Sequence, residues 1–204
     1  MKPKILSICG SPRKDGNTAI LLHEALKGAA DAGADTEEIF LLDYNIGFCD
    51  GCEKCYVNDG RKIGECSLKD DMTGSLVDKI YHCDGLILGT PSYWSNVSAI
   101  MKNFIDRMIV FTYDRGDCGP APRLKPGRKA MLYVVGAVSY RVSSFGGVHF
   151  LPFQAMNSIC TFANIEVVDF LTAAGVDQPG DIKQQPELIK QAYAQGKNFA
   201  AMFV

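Results

Sequence analysis

The sequence predicts an α/β fold, a three-layer sandwich built on a sheet of five parallel strands. Two observations point there. Short apolar runs alternate with longer amphipathic stretches along the chain, the order that parallel strands and crossover helices leave in a sequence. The third run, Gly85 to Gly89, is apolar throughout, as a strand covered on both faces must be. At 204 residues, 47% hydrophobic and 22% charged, the chain has the balance of an ordinary globular core and is short enough for one domain, 1–204.

Lys4 to Cys9 (KILSIC) reads as the first buried strand. Asn17 to Ala32 has apolar positions recurring at three and four and is ended by Gly33, which predicts a helix. Glu37 to Leu42 is the second strand. After a cysteine-bearing segment, Met72 to Tyr81 reads as a helix, and Gly85 to Gly89 as the third strand, closed by Thr90-Pro91. Val97 to Phe111 is predicted helical, and a Gly/Pro-rich loop containing Cys118 then leads to the fourth strand, Lys129 to Gly136. A helix over about Val148 to Phe162, a fifth strand at Ile165 to Leu171 and a terminal helix after Pro186 complete the alternation. In such sheets ligands bind at the carboxyl ends of the strands, beside the point where strand order reverses.

Charge and termini narrow the class of function. A net charge of −2, from 21 basic and 23 acidic residues, gives no electrostatic footprint for nucleic acid. MKPKILSICG is a short apolar run broken by Gly10 and Pro12, neither a secretory core nor a membrane span, so a cytoplasmic protein without a membrane partner is expected. In that reducing compartment the eight cysteines read as metal ligands or redox groups rather than disulfides.

The first strand runs into Gly10-Ser11-Pro12-Arg13-Lys14-Asp15-Gly16-Asn17-Thr18 and then a helix. A glycine turn at a helix start aims backbone N–H groups and the positive helix end at one spot, where a phosphate can sit. Ser11, Asn17 and Thr18 can donate hydrogen bonds, Gly16 admits a close backbone approach, and Arg13 can hold phosphate with two parallel bonds. The loop lacks the Gly-Lys-Ser/Thr of a Walker loop and the GxGxxG of a dinucleotide turn. A plain turn followed by an Asn/Thr helix cap is the competing reading.

These residues, with Gly89-Thr90-Pro91-Ser92-Tyr93-Trp94 and Lys102-Asn103-Phe104-Ile105-Asp106-Arg107, resemble the flavodoxin-like NAD(P)H-dependent FMN reductase family from Lys4 to about Gly136. The resemblance implies a flavodoxin-like sandwich with strand order 2-1-3-4-5 and non-covalent FMN. Its phosphate would lie on Ser11, Arg13, Gly16, Asn17 and Thr18, and its isoalloxazine ring would be bordered by Pro91, Ser92, Tyr93 and Trp94. Two aromatics after a rigid Thr-Pro turn suit a flat apolar ring, although aromatics are equally at home in a subunit interface. Asn96 can bond the ring edge or cap the following helix. Asp106-Arg107 reads most simply as a solvated ion pair or an interface pair. The polar loop Gly136 to Gly147 returns to the same edge, either against flavin or substrate or as an ordinary mobile loop.

Cys49, Cys52 and Cys55 form Cys-x2-Cys-x2-Cys, and Cys66 follows after the ten residues Tyr56 to Glu65. Four thiolates are the ligand set of a [4Fe-4S] cluster. With the Lys69-Asp70-Asp71-Met72 that follows, the segment at 49–66 resembles the iron-sulfur flavoproteins, a subgroup of the same family, apart from the longer gap before Cys66. A four-cysteine zinc site, a redox-active thiol set and a metal-free loop are the other readings. Cys9, Cys83 and Cys160 read as structural, with Cys118 in a loop. His23 and His82 read as surface or cap residues, and His149, although close enough to the third loop to approach a substrate, is not read as a substrate residue.

No acid or base is called for, because the chemistry would belong to the flavin. The expected protein is a homodimeric or homotetrameric oxidoreductase that takes electrons from NAD(P)H or through the cluster and gives them to a quinone, a flavin, a ferredoxin-like protein or another small acceptor. A non-enzymatic flavodoxin-like electron carrier is the alternative, disfavoured by the balanced charge.

Overall fold

The structure, a computed structural model, describes residues 2–57, 60, 62–114, 119–139 and 147–203. Its centre is a parallel sheet of β1 (Lys4–Cys9), β2 (Asp35–Phe40), β3 (Gly85–Pro91), β6 (Lys129–Gly136) and β7 (Glu166–Ala174), ordered β2-β1-β3-β6-β7. Counted within the sheet, that is 2-1-3-4-5. The switch point falls between β1 and β3, whose carboxyl ends carry the Gly10-to-Thr18 loop and the Pro91 turn.

Alternate residues of the strands serve two cores. Leu6, Ile8, Leu86, Leu88, Leu132 and Val134 face α2 (Val77–Tyr81), α3 (Ala99–Arg107) and α4 (Phe150–Phe162). Ile5, Cys9, Ile87, Met131 and Tyr133 face α1 (Asn17–Asp31) and α5 (Pro186–Ala201). The period-2 pleat thus places a full apolar layer on either side. Burial pushes the Cys9 thiol up to about 11 and those of Cys83 and Cys160 up to about 12, so these three are inert packing groups, as expected.

α1 and α5 cross at backbone contact. A Cβ at Gly28 would lie 2.0 Å from the Tyr193 carbonyl oxygen, and one at Gly196 would lie 1.8 Å from that of Ala25. Only glycine allows the two helices to lie this close.

Several boundaries differ from expectation. β2 begins at Asp35, not Glu37, because Asp35 N–H bonds the Pro3 carbonyl and the register ends at Cys9–Phe40. Leu41–Asp43 then forms a 3-10 turn instead of more strand. The stretch Met72–Tyr81 opens as a π-turn, Met72–Leu76, before becoming α2. α3 starts at Ala99, where Ser98 caps it by accepting Met101 N–H at 3.2 Å, and it ends in a 3-10 turn, Met108–Phe111. α4 begins at Phe150, and β7 runs on to Ala174 in step with β6. An unforeseen antiparallel ribbon pairs β4 (Thr112–Asp114) with β5 (Pro120–Pro122). Cys118 lies outside the described residues, as does 140–146 of the third loop.

Candidate functional site

At the carboxyl edge of the sheet, a cavity of about 210 Å3 is bounded by the loop after β1, the turn after β3, the end of β6 and the segment after β7. Its lining brings together Ser11, Arg13, Gly16, Asn17, Thr18, Pro91, Ser92 and Tyr93, eight of the ten residues singled out for cofactor binding. The sequence reading missed Val176 and Asp177, which follow a strand that runs three residues past its expected end.

The helix start is free for a ligand. Gly16 is the N-cap of α1, no side chain caps the helix, and its first turn carries no acid. The Asn/Thr cap reading is therefore incorrect. Asn17 turns instead to the loop before α5, donating to the Gln178 carbonyl at 2.9 Å and accepting Ile182 N–H at 3.2 Å. Thr18 is buried without a side-chain hydrogen bond to a described residue. Ser11 Oγ closes the turn by accepting Arg13 N–H at 3.1 Å, and Arg13 reaches the Asp177 carbonyl at 3.4 Å. Uncapped N–H groups, an unspent hydroxyl and an exposed guanidinium at one helix end are the donor set of an anion site. They fit a phosphate. The volume is below the roughly 300–1,000 Å3 usual for a whole organic ligand, so it fits the phosphate end of FMN, with Pro91, Ser92 and Tyr93 along the way out.

Two residues stand apart. Tyr93 and Asn96 exchange backbone bonds at 2.9 and 3.0 Å around Trp94 and Ser95, whose φ values are 51° and 59°. This is a two-residue turn of the type normally given to Asn-Gly, and it costs about 1–3 kcal/mol for each residue held in the left-handed region. It aims Trp94 into solvent, 101% exposed and off the cavity. Asn96 Oδ1 accepts Val97 N–H at 2.8 Å, so it neither lines the cavity nor caps α3.

His149 is buried against Gly136, where an added Cβ would meet its Nε2 at 2.6 Å. Burial holds the imidazole below its usual pKa. It thus sits behind a residue of the cavity wall rather than in the cavity.

Asp106-Arg107 is not a surface pair. Asp106 bonds Lys102 at 2.6 Å, one turn back. Arg107 is 1% exposed, and its Nη1 bonds Asp70 Oδ2 at 2.5 Å and the Gly47 carbonyl at 2.7 Å. Its Nη2 bonds Asp70 Oδ1 at 3.2 Å and approaches Cys66 Sγ at 3.7 Å. Burial alone would raise the Asp70 pKa, but the Arg107 bonds and the Gly47 N–H outweigh it and hold the carboxyl below the ordinary value.

The cysteine segment is thereby fixed at its two ends, while Cys49 and Cys52 are exposed and Cys55 is buried. Burial pushes the Cys55 thiol up, and the nearby Cys66, Cys49 and Cys52 push it further. The donor set suits an iron-sulfur cluster in kind. Among the described residues, however, no three His, Cys, Asp or Glu side chains are gathered to hold a metal ion. A larger cavity of about 860 Å3 opens beside Cys66, Thr73, Val77 and Tyr81, and shares no lining residue with the first. It has neither strand ends nor a free helix start, so the smaller cavity is the better phosphate site.

The model of the NADPH-dependent FMN reductases matches residues 3–159. The chain belongs to that family. An iron-sulfur flavoprotein of Methanocaldococcus jannaschii is 33% identical over 97% of this chain and 95% of its own length. A Bacillus subtilis protein named as an NAD(P)H-dependent FMN-containing oxidoreductase is 34% identical over 93% of this chain and 94% of its own. Among solved structures, the NAD(P)H:quinone oxidoreductase from Methanothermobacter marburgensis shares the fold, with a TM-score of 0.73 over 98% of this chain and all of that one, at 16% identity. The sandwich is thus flavodoxin-like, and the family member described here is an NAD(P)H-dependent FMN oxidoreductase. No helix among the described residues is long and apolar enough to cross a membrane.

Proposed function

We propose that FMN binds without a covalent link in the cavity at the sheet edge and passes electrons from NAD(P)H to a small acceptor such as a quinone or a free flavin. The observation that carries this is the uncapped start of α1, whose donors face a cavity that also reaches Pro91, Ser92 and Tyr93. When bound, FMN supplies the exchange between hydride and single-electron chemistry. The protein's part is to bind and orient. Ser11, Arg13, Gly16, Asn17 and Thr18 hold the phosphate, and Pro91, Ser92 and Tyr93 border the ring, with Trp94 and Asn96 outside this set. Cys49, Cys52, Cys55 and Cys66 are the ligands proposed for an iron-sulfur cluster, supported by the donor chemistry and by the name of the archaeal relative. A cytoplasmic location suits thiols that are free among the described residues.

Arg13→Ala with Thr18→Val tests the cradle. Losing a charge-assisted bond worth about 1.5–3 kcal/mol weakens FMN binding about 10- to 100-fold, seen as loss of the yellow chromophore on gel filtration. Flavin retained at full stoichiometry overturns the assignment. Asn17→Ala is the poorer probe, because it also frees the Gln178–Ile182 loop. Turnover of NADH or NADPH with a quinone separates the enzyme from a mere carrier, which would show none.

A second copy of this chain is the proposed partner of an apolar face. Phe150, Leu151 and Phe162 on α4 are exposed, as is Phe170 on the edge strand β7. Large apolar side chains exposed together on a helix beside an unpaired sheet edge are normally covered, and such an edge invites pairing.

A further inference from the structure

We infer that Arg107 is the positioning residue of the cysteine segment: its buried guanidinium ties the start of the segment at Gly47 to its end at Asp70 and sets an N–H donor at Cys66 Sγ. The inference goes beyond the proposed cluster in naming what holds its fourth ligand, and rests on that reading only for its iron arm.

The geometry is specific to arginine. One planar fork serves three residues on two stretches of chain: the Gly47 carbonyl at 2.7 Å, both Asp70 oxygens at 2.5 and 3.2 Å, and Cys66 Sγ at 3.7 Å. Lysine is a point donor and cannot hold that set. Asp70 completes the knot by accepting Gly47 N–H at 2.9 Å and the N–H groups of Met72 and Thr73 at 3.1 and 3.3 Å. Asp71 takes Asn45 N–H at 2.7 Å, and Asn103, one turn before Arg107 on α3, donates to the Ile46 carbonyl at 2.7 Å. Residues 45–47 and 66–71 are thus brought side by side onto α3, which closes the chain between them into a loop. Among the described residues, exposed Cys49 and Cys52 have no comparable anchor; Cys52 has Ser67 Oγ at 3.1 Å and its own N–H on Asp50. Cys66 is therefore the sulfur held by a hydrogen-bond donor, beside Cys55, which is held by burial. Hydrogen bonds to sulfur ligands also set the reduction potential of a cluster, since they favour the more electron-rich state.

Arg107→Lys and the double variant Arg107→Met with Asp70→Asn, which leaves no lone buried charge, test this in the full chain purified anaerobically with its flavin. FMN content and the melting curve report folding. The readouts are the rate of iodoacetamide labelling of Cys66 in the iron-free, flavin-loaded chain, with Cys52 and Cys83 as exposed and buried references, and, separately, iron and sulfide per chain after reconstitution, with the potential of any cluster formed. The expected result is full FMN, labelling of Cys66 at least fivefold faster in the double variant and intermediate in Arg107→Lys, reference rates unchanged, and iron below half the parent value or a lower potential. Folded, flavin-loaded variants with unaltered Cys66 labelling overturn the inference. Should the parent chain itself take up no iron, the cluster reading fails while the labelling still decides the role of Arg107.

Discussion

Ser98 joins three parts of the site through one hydroxyl and one N–H. Its Oγ caps α3 and donates to the Gly10 carbonyl at the start of the phosphate loop, and its N–H bonds Thr90 Oγ1 at 3.1 Å. Ser98→Ala removes a cap worth about 1 kcal/mol and leaves the Gly10 carbonyl without that donor, for a total of about 2 kcal/mol. At about 2–4 °C per kcal/mol for a chain of this size, calorimetry should register a fall of about 4–8 °C. His149 gives a pH signature. Its folded pKa lies below 6.5 because burial disfavours the cation, so the unfolded chain binds the proton first. Stability is full above pH 6.5 and declines as pH falls through the unfolded and then the folded pKa. Melting temperatures between pH 7.5 and 5.5 should drop in the parent and less in His149→Gln; equal slopes would show that the group does not matter. That the residues of the first loop meet at one cavity was legible, because a glycine turn between strand and helix leaves few alternatives. Ser98 was not, since Asn96 two places earlier belongs to the same class of capping residue. Nor was the Arg107–Asp70 pair, which joins residues 37 apart in sequence.

The elements most legible were β1 and β6, found at their expected bounds because a mainly apolar, almost fully buried run between polar flanks marks its own ends. β2 slid by two residues because its polar, half-exposed composition gives little period to read, so pairing with β1 decides where it starts. The β4–β5 ribbon was invisible to pattern, since a strand of Pro-Ala-Pro contradicts local propensity and exists through its partner. The α1–α5 crossing makes a sharper prediction. Gly196→Ala forces a methyl into the Ala25 carbonyl, and overpacking of this kind costs about 1–3 kcal/mol or more, a melting drop of about 10 °C at the upper figure. Gly74→Ala, in the π-turn with open space around its Cβ position, should change the melting point by no more than 2–3 °C, about 1 kcal/mol. A similar loss in both would mean that glycine-specific packing is not the cause.

At the scale of the molecule, the proposed pairing of α4 and β7 faces predicts that Phe170→Glu with Phe162→Glu shifts sedimentation toward the monomer at micromolar concentration, with flavin content unchanged. A carboxylate buried on each side of such an interface costs several kcal/mol, enough to dissociate an ordinary dimer. An unaltered sedimentation coefficient places the contact elsewhere. The strained turn at Trp94 and Ser95 has a consequence of another kind. It displays the sole indole of the chain, fully in water, one peptide from Tyr93 on the cavity wall. The protein therefore contains its own optical gauge. Fluorescence from one known position, red-shifted by hydration in the flavin-free chain and quenched by energy transfer as the yellow ligand fills its place, would report occupancy of the site without any label.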